Sequence, residues 1–291
     1  MSRERGNKME LWYTDQHTKD VRFSMKMKEQ LISVESEFQR IDIIETYEYG
    51  RVLVLDGELM ITEKDEFIYH EMITHVPMAV HPNVRNVLVI GAGDGGTIRE
   101  LTKYDTIEHI DMVEVDKEIV KVCKEYMPFT ACKLNDKRIS MHFEEGLRFV
   151  RGKQDEYDLI IVDCADPFGP AEGLFTREFY GNCYKALHSD GILINQHESP
   201  FYNEHSGSVQ KAHRHITSVF TLSTVYQCHI PSYPSGHWLF GFASKQYDPI
   251  KDLNEKNWNG LKLPVRYYNT DLHKGCFYLP NYVKELLGSY E

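Results

Sequence analysis

The sequence predicts an α/β protein in which a doubly wound sheet of parallel strands follows a small antiparallel β domain. Three observations carry that reading. Residues 86–100 pass from four β-prone apolar residues, Val87-Leu88-Val89-Ile90, through a glycine-dense turn, Gly91-Ala92-Gly93-Asp94-Gly95-Gly96, into the helix start Thr97-Ile98-Arg99-Glu100. Beyond them apolar strand-like runs alternate with helical patterns, as in a sheet covered on both faces. Before them, short alternating runs are separated by turn pairs such as Tyr49-Gly50 and Asp56-Gly57, which suit hairpins.

Taken in order, residues 1–8 are polar and read as a flexible N-terminus, residues 9–65 as the small β domain and residues 66–291 as the α/β domain. Strands are expected over Glu10–Thr14, Val21–Met27, Leu31–Glu35, Phe38–Thr46, Val52–Leu55 and Glu58–Thr62. Glu66–Val80 spaces Phe67, Ile68, Met72, Ile73 and Val76 along one helical face and stops at His81-Pro82. The alternation continues with strands at Val87–Ile90, His109–Glu114, Arg138–His142, Leu159–Val162 and Gly191–Asn195. Helices are expected from the glycine turn to about Lys103, over Lys117–Tyr126, from Gly146, over Thr176–Leu187 and over Ser206–Phe220. Apolar segments at Thr224–His229 and Trp238–Ala243 follow, and no internal repeat or low-complexity stretch is present.

Composition excludes several function classes. A formal charge of −11 over 291 residues argues against a nucleic-acid partner, which needs a basic face. No apolar run approaches the ~20 residues of a membrane helix, and residues 1–8 lack the apolar core of a secretion signal, so a cytoplasmic protein is expected. The six cysteines are scattered without C-x-x-C or zinc-like spacing, and reduced thiols are expected. His213 and His215, two apart on a helix, point to different faces, and no metal site is expected from them or from His70 and His75.

The glycine turn fits two patterns. Gly91, Gly93 and Gly96 satisfy G-x-G-x-x-G, whereas Gly91, Gly93 and Gly95 satisfy the shorter pattern of adenosyl-sulfonium sites. Glu114 ends the next apolar run about 20 residues on, where a carboxylate can accept from ribose hydroxyls. Both point to adenosine. Asp94 inside the turn would repel a pyrophosphate and attract a cationic tail, which favours the second pattern, while a plain βα turn without ligand remains open. Open sheets bind ligands beyond the carboxyl ends of their strands, and here those ends carry Gly91, Glu114, Glu144-Glu145-Gly146, Asp163-Cys164-Ala165-Asp166 and Gln196-His197-Glu198.

These motifs, together with Leu55-Asp56-Gly57, Glu66-Phe67-Ile68-Tyr69-His70-Glu71-Met72, Val113-Glu114-Val115-Asp116, Pro167-Phe168-Gly169-Pro170, Leu174-Phe175 and Ile230-Pro231-Ser232-Tyr233-Pro234-Ser235-Gly236, resemble the spermidine synthase family of polyamine aminopropyltransferases from about Met9 to the end. The resemblance implies a methyltransferase-like (Rossmann-type) fold. It implies transfer of the aminopropyl chain of decarboxylated S-adenosylmethionine to putrescine, giving spermidine and methylthioadenosine, with no further cofactor and a homodimer or homotetramer as the assembly. By position, Gln39, Glu114, Glu145, Gly146 and Pro170 would hold the donor nucleoside. His70 and Asp94 would meet the aminopropyl amine, Asp163 would accept the proton, and Tyr69, Asp166, Gln196 and Tyr233 would bind the diamine. Glu145 departs from the family's usual Asp, Cys164-Ala165 from a hydroxyl-bearing pair, and Gly275-Cys276 from a small-residue pattern. Another acceptor (cadaverine or agmatine), a non-catalytic polyamine-binding protein and a nicotinamide-dependent dehydrogenase are the alternatives, the last disfavoured by Asp94.

Overall fold

The computed structural model describes residues 9–164 and 173–288, with the side chains of 203–206 left aside. The chain divides into two compact units, residues 1–64 and 65–291.

The first unit is a five-stranded antiparallel sheet in sequential order, β1 (Leu11–Thr18), β2 (Val21–Glu35), β3 (Arg40–Thr46), β4 (Arg51–Leu55) and β5 (Glu58–Thr62). The two runs expected over 21–27 and 31–35 form one strand. Its register slips between Met27 and Glu29 and again between Gln30 and Ile32, so bulges absorb the polar Lys28-Glu29-Gln30 segment that looked like a break. Ile41, Ile43, Ile44, Val52, Leu53 and Val54 form the buried interior.

The second unit opens with α1 (Glu66–Val80) and continues through β6 (Asn86–Gly91), α2 (Gly96–Leu101), β7 (His109–Val113), α3 (Lys117–Tyr126), α4 (Pro128–Ala131), β8 (Ile139–His142), α5 (Gly146–Val150) and β9 (Tyr157–Asp163). It closes with α6 (Arg177–Ala186), β10 (Leu187–Glu198), α7 (Asn203–Thr217), β11 (Leu222–His229), β12 (His237–Ser244), α8 (Glu255–Leu261), α9 (Thr270–Cys276) and α10 (Asn281–Leu287). The seven strands lie in the order β11-β12-β10-β9-β6-β7-β8. Five are parallel, whereas β12 runs antiparallel to β10 and β11 antiparallel to β12, so the two late apolar segments make an antiparallel edge.

From β6 the chain winds outward through β7 to β8, then returns to place β9 on the other side of β6. The winding therefore reverses between β6 and β9, where Gly91 pairs with Asp163. A crevice at such a reversal is where open sheets bind ligands. Central strands read as unbroken apolar runs because both faces are covered; Val87, Leu88, Leu159, Ile160 and Ile161 have no exposed surface. The C-terminal helices α8 to α10 carry no strong sequence signal. The segment between α8 and α9 is held by Glu71 of α1, whose carboxylate accepts from the backbone amides of Arg266, Tyr267 and Tyr268 at 2.7–2.8 Å. Among the described residues, no helix is long and apolar enough to cross a membrane.

Candidate active site

The glycine turn serves this chain's own side chains as well as any ligand. A Cβ at Gly91 would fall 2.0 Å from the Asp163 carbonyl oxygen, and that carbonyl accepts from Ala92 N at 2.8 Å, so the end of β6 is pressed onto the end of β9. A Cβ at Gly93 would meet Glu114 Oε2 at 3.0 Å, and one at Gly96 would overlap the His70 ring at 2.2–2.4 Å. Gly91 and Gly95 take φ of 88° and 89°, and Ala92 follows with φ of 62°. A backbone carbonyl, a carboxylate and an imidazole from separate elements are thus gathered around one turn.

Asp163 ends β9 with both carboxylate oxygens engaged. Tyr69 of α1 donates to Oδ1 at 2.7 Å and Thr97 of α2 donates to Oδ2 at 2.6 Å. Burial, and then the Asp94 charge, push the Asp163 carboxyl above its ordinary range, against the pull of His70 and the two hydroxyls. Its partner Asp94 moves the other way: burial would raise it, but the His70 cation and the Gly96 amide, which donates to Oδ1 at 2.9 Å, hold it low. Ligand atoms of His70, Asp94 and Asp163 lie within 4.8 Å of one another. Two neighbouring carboxyls pushed in opposite directions make one proton acceptor and one fixed anion.

His70 stands between acids. Its Nδ1 lies 2.5 Å from Glu66 Oε2, one helical turn back, and its Nε2 lies 3.3 Å from Asp94 Oδ1. Glu66 in turn receives the Arg99 guanidinium on both oxygens, at 2.8 and 2.9 Å. Burial opposes charging the ring, yet Asp94 and Glu66 together push its pKa up to about 10.

On the side expected for a nucleoside, Glu114 follows β7 and accepts from Asp116 N at 2.9 Å, while Asp116 caps α3 through Glu118 N at 2.9 Å. Burial lifts Glu114 to about 7, with the Asp116 amide opposing and the Asp116 charge adding to it. Gly146 begins α5 where a Cβ would crowd Ile90 at 2.4 Å, and Glu145 before it is exposed and makes no side-chain cap. Gln39 sits in the turn between β2 and β3 of the first unit. Pro170 and Asp166 lie outside the described residues.

On the side expected for an amine, Gln196 of β10 is buried, donates weakly to the Cys164 carbonyl at 3.4 Å and accepts from Glu198 N at 2.9 Å. Tyr233 packs edge-on against Trp238 at 4.7 Å. Its turn is held by Asp65, which accepts from Ser232 N at 2.8 Å and Ser232 Oγ at 3.0 Å. Thr97, Glu66, Arg99 and Asp65 were not singled out from sequence. An i, i+4 Glu66–His70 pair was the one available signal, since Thr97 and Arg99 matter only through contacts distant in sequence.

A second acidic and imidazole group lies at the opposite end of β9, where His81, Asp158 and Asp190 bring possible ligand atoms together. Its hydrogen bonding does not suit a metal. His81 Nδ1 accepts from Asn83 N at 3.2 Å, so the neutral ring carries its proton on Nε2, facing Asp190 at 3.6 Å. Asp158 is occupied with the amides of Arg85 and Asn86 at the start of β6.

Comparison with known proteins places the chain among polyamine-synthesising relatives. The family described as the spermine/spermidine synthase domain matches residues 66–255, and the spermidine synthase tetramerisation domain matches residues 11–63. A polyamine aminopropyltransferase of Lachnoclostridium phytofermentans is 95% identical over 97% of this chain and 100% of its own, and one from Alkaliphilus oremlandii is 67% identical over 96% and 98%. Among solved structures, a spermidine synthase in complex with the transition state analogue AdoDATO superposes with a TM-score of 0.94 at 43% identity, covering 96% of each chain. The spermidine synthase from Thermotoga maritima gives 0.92 at 43%, covering 96% of this chain and 95% of that one.

Proposed function

The chain belongs to the spermine/spermidine synthase family and is an aminopropyltransferase, and we propose that it carries the aminopropyl group of decarboxylated S-adenosylmethionine to putrescine, releasing spermidine and methylthioadenosine. The observation that carries the reading is Asp163, a carboxylate gripped by Tyr69 and Thr97 and set within 4.8 Å of the Asp94–His70 pair.

An alkylamine with a pKa near 10.4 is neutral in only about one molecule in 10³ at pH 7, so freeing its lone pair costs about 4–5 kcal/mol. A carboxylate whose proton affinity is raised by burial recovers part of that cost, because it is a better base than an exposed Asp. As Asp163 takes one proton from the diamine's terminal ammonium, the freed nitrogen attacks the carbon beside sulfur, the carbon–sulfur bond breaks, its electron pair neutralises the sulfonium, and the product nitrogen keeps its remaining two protons as a secondary ammonium. Tyr69 and Thr97 fix the direction of the accepting oxygens.

Asp94 selects the donor. It makes its contacts with Gly96 and His70 through Oδ1, and Oδ2 is the oxygen that would meet the aminopropyl ammonium. The carboxylate present in S-adenosylmethionine itself would be brought against this anion and repelled. Glu114 would accept from the ribose hydroxyls, with Glu145, Gly146 and Pro170 completing the nucleoside pocket, while Asp166, Gln196 and Tyr233 would hold the diamine and its distal charge; Gln39 of the first unit is a donor-binding candidate by family resemblance. A homodimer or homotetramer fits the match of residues 11–63 to a tetramerisation domain and the exposure of Leu11 and Trp12 on β1.

Incubating the protein with decarboxylated S-adenosylmethionine and diamines of graded length, and counting methylthioadenosine and polyamine product, tests the reading. Equal amounts of methylthioadenosine and spermidine, with kcat/KM greatest for putrescine, support it. A preference for cadaverine or agmatine would reassign the acceptor, and no transfer to any amine would leave a binding protein.

A further inference from the structure

We propose that Glu66 and Arg99 are positioning residues for the transfer: together they hold His70 as an imidazolium directed at Asp94, and that fixed cation lets Asp94 and Asp163 both ionise within one small site. The inference rests on the roles just given to those two aspartates.

Its geometric basis is the pair of contacts on the His70 ring. A neutral imidazole has one donor and one acceptor nitrogen, but Nδ1 faces the Glu66 carboxylate at 2.5 Å and Nε2 faces the Asp94 carboxylate at 3.3 Å. Both partners are acceptors, so both ring nitrogens carry protons. Glu66 is kept ionised and oriented by the forked Arg99 guanidinium, which occupies Oε1 and Oε2 while also bonding Glu100 and the Phe129 carbonyl. The fork leaves the carboxylate little freedom to rotate away from the imidazole. Gly96 supplies the third constraint, since any side chain there would overlap the ring.

The groups facing His70 are few. Glu66 and the edge of the Tyr69 ring approach from α1, Asp94 from the turn after β6 and Asp163 from β9. Without a cation between them, two carboxylates at this separation would share one proton, as like charges in a buried site do. Asp163 would then be protonated at neutral pH and could not accept the proton of the diamine. The Glu66 and Arg99 side chains hydrogen-bond to each other, to His70, to Glu100 and to the Phe129 carbonyl, and neither bonds Asp94 or Asp163. They act through His70, as groups supporting a site from behind do.

The test is Glu66→Gln, which keeps the shape and leaves Arg99 paired with Glu100. Nitrogen-15 NMR of the His70 ring, read without substrate, should show a doubly protonated ring through pH 9 in the parent protein and titration about three pH units lower, in the neutral range where the acid limb lies, in the variant. The acid limb of the kcat/KM profile for aminopropyl transfer should move upward by about one unit, so that activity falls about tenfold at the pH of that limb and recovers as pH is raised. A merely structural role predicts a uniform loss with no shift of the limb, and that result, or an unchanged His70 titration, overturns the proposal. Should Glu66→Gln not fold, Arg99→Lys keeps the charge but breaks the fork. It should shift both readouts in the same direction, and an unaltered pair of curves in that variant counts against the proposal. Failure of the parent protein to transfer any aminopropyl group would sink the function while the ring titration still decides the state of His70.

Discussion

Tyr69 and Asp163, 94 residues apart, meet through a 2.7 Å hydrogen bond that joins the second turn of α1 to the tip of β9. The bond fixes one oxygen of the acceptor carboxylate while Thr97 fixes the other. Asp163→Asn keeps a similar shape but removes the base. It should lower kcat by about 10²–10⁴ while the Kd for methylthioadenosine, measured calorimetrically, changes less than about threefold. Tyr69→Phe should retain the base in a looser orientation and lose about tenfold in kcat.

Asp94→Asn should narrow the choice between donors. Under the proposed function Asp94 would repel the carboxylate of S-adenosylmethionine, and the amide would remove that repulsion along with the attraction for the decarboxylated donor. The ratio of the two donor affinities should shrink by about tenfold or more, as read in competition against methylthioadenosine.

Nucleoside affinity should depend on pH through Glu114. Its carboxyl is raised to about 7, so it is ionised above that pH and protonated below it. Ribose hydroxyls donate best to the anion, and affinity for methylthioadenosine should therefore be fully present above pH 7 and fall as pH drops, by up to about tenfold per unit. In Glu114→Gln the affinity should be weaker throughout and lack this dependence.

Glu71 makes no contact with the proposed reactants, yet it is buried and receives three backbone amides of residues 266–268. Glu71→Ala strands those amides and should cost about 2–4 kcal/mol of stability. Thermal unfolding should shift down by several degrees, with limited proteolysis cutting first near residues 264–280.

Much of the architecture is legible in the sequence because periodicity survives wherever an element has a consistent face. The helix expected over Glu66–Val80 has those bounds, and the runs at 87–90, 109–114 and 159–162 are central strands. The strand expected over 191–195 is longer, because β10 begins at Leu187 and passes an irregularity before Ile192. The helix expected over 206–220 lies three residues earlier. Val219 and Phe220 bond to the Ile216 carbonyl in a closing turn that keeps a helical look in sequence. Helices α8 to α10 were not anticipated, since each has only 7 residues, too few for a periodic apolar face to stand out.

At the site, the sequence marks the groups that face outward from strand ends, and misses those that hold them. Asp163, Asp94 and His70 stand in recognisable motifs and come together around the glycine turn. Thr97 and Arg99 look like ordinary first-turn helix residues, and only the fold shows that one grips Asp163 and the other grips Glu66. The glycines themselves carry a double meaning. Read alone they suggest a ligand's close approach; in the structure Gly91, Gly93 and Gly96 are also the spaces into which Asp163, Glu114 and His70 fit.

The central claim is that one crevice holds an adenosyl sulfur beside an amine whose proton goes to Asp163. A crystal structure with methylthioadenosine and putrescine bound tests it most directly. The expected result places one putrescine nitrogen within hydrogen-bond distance of an Asp163 oxygen and in line with the methylthio sulfur, with Glu114 on the ribose. Putrescine bound away from Asp163, or a nucleoside lodged where no amine can reach its sulfur, would contradict it.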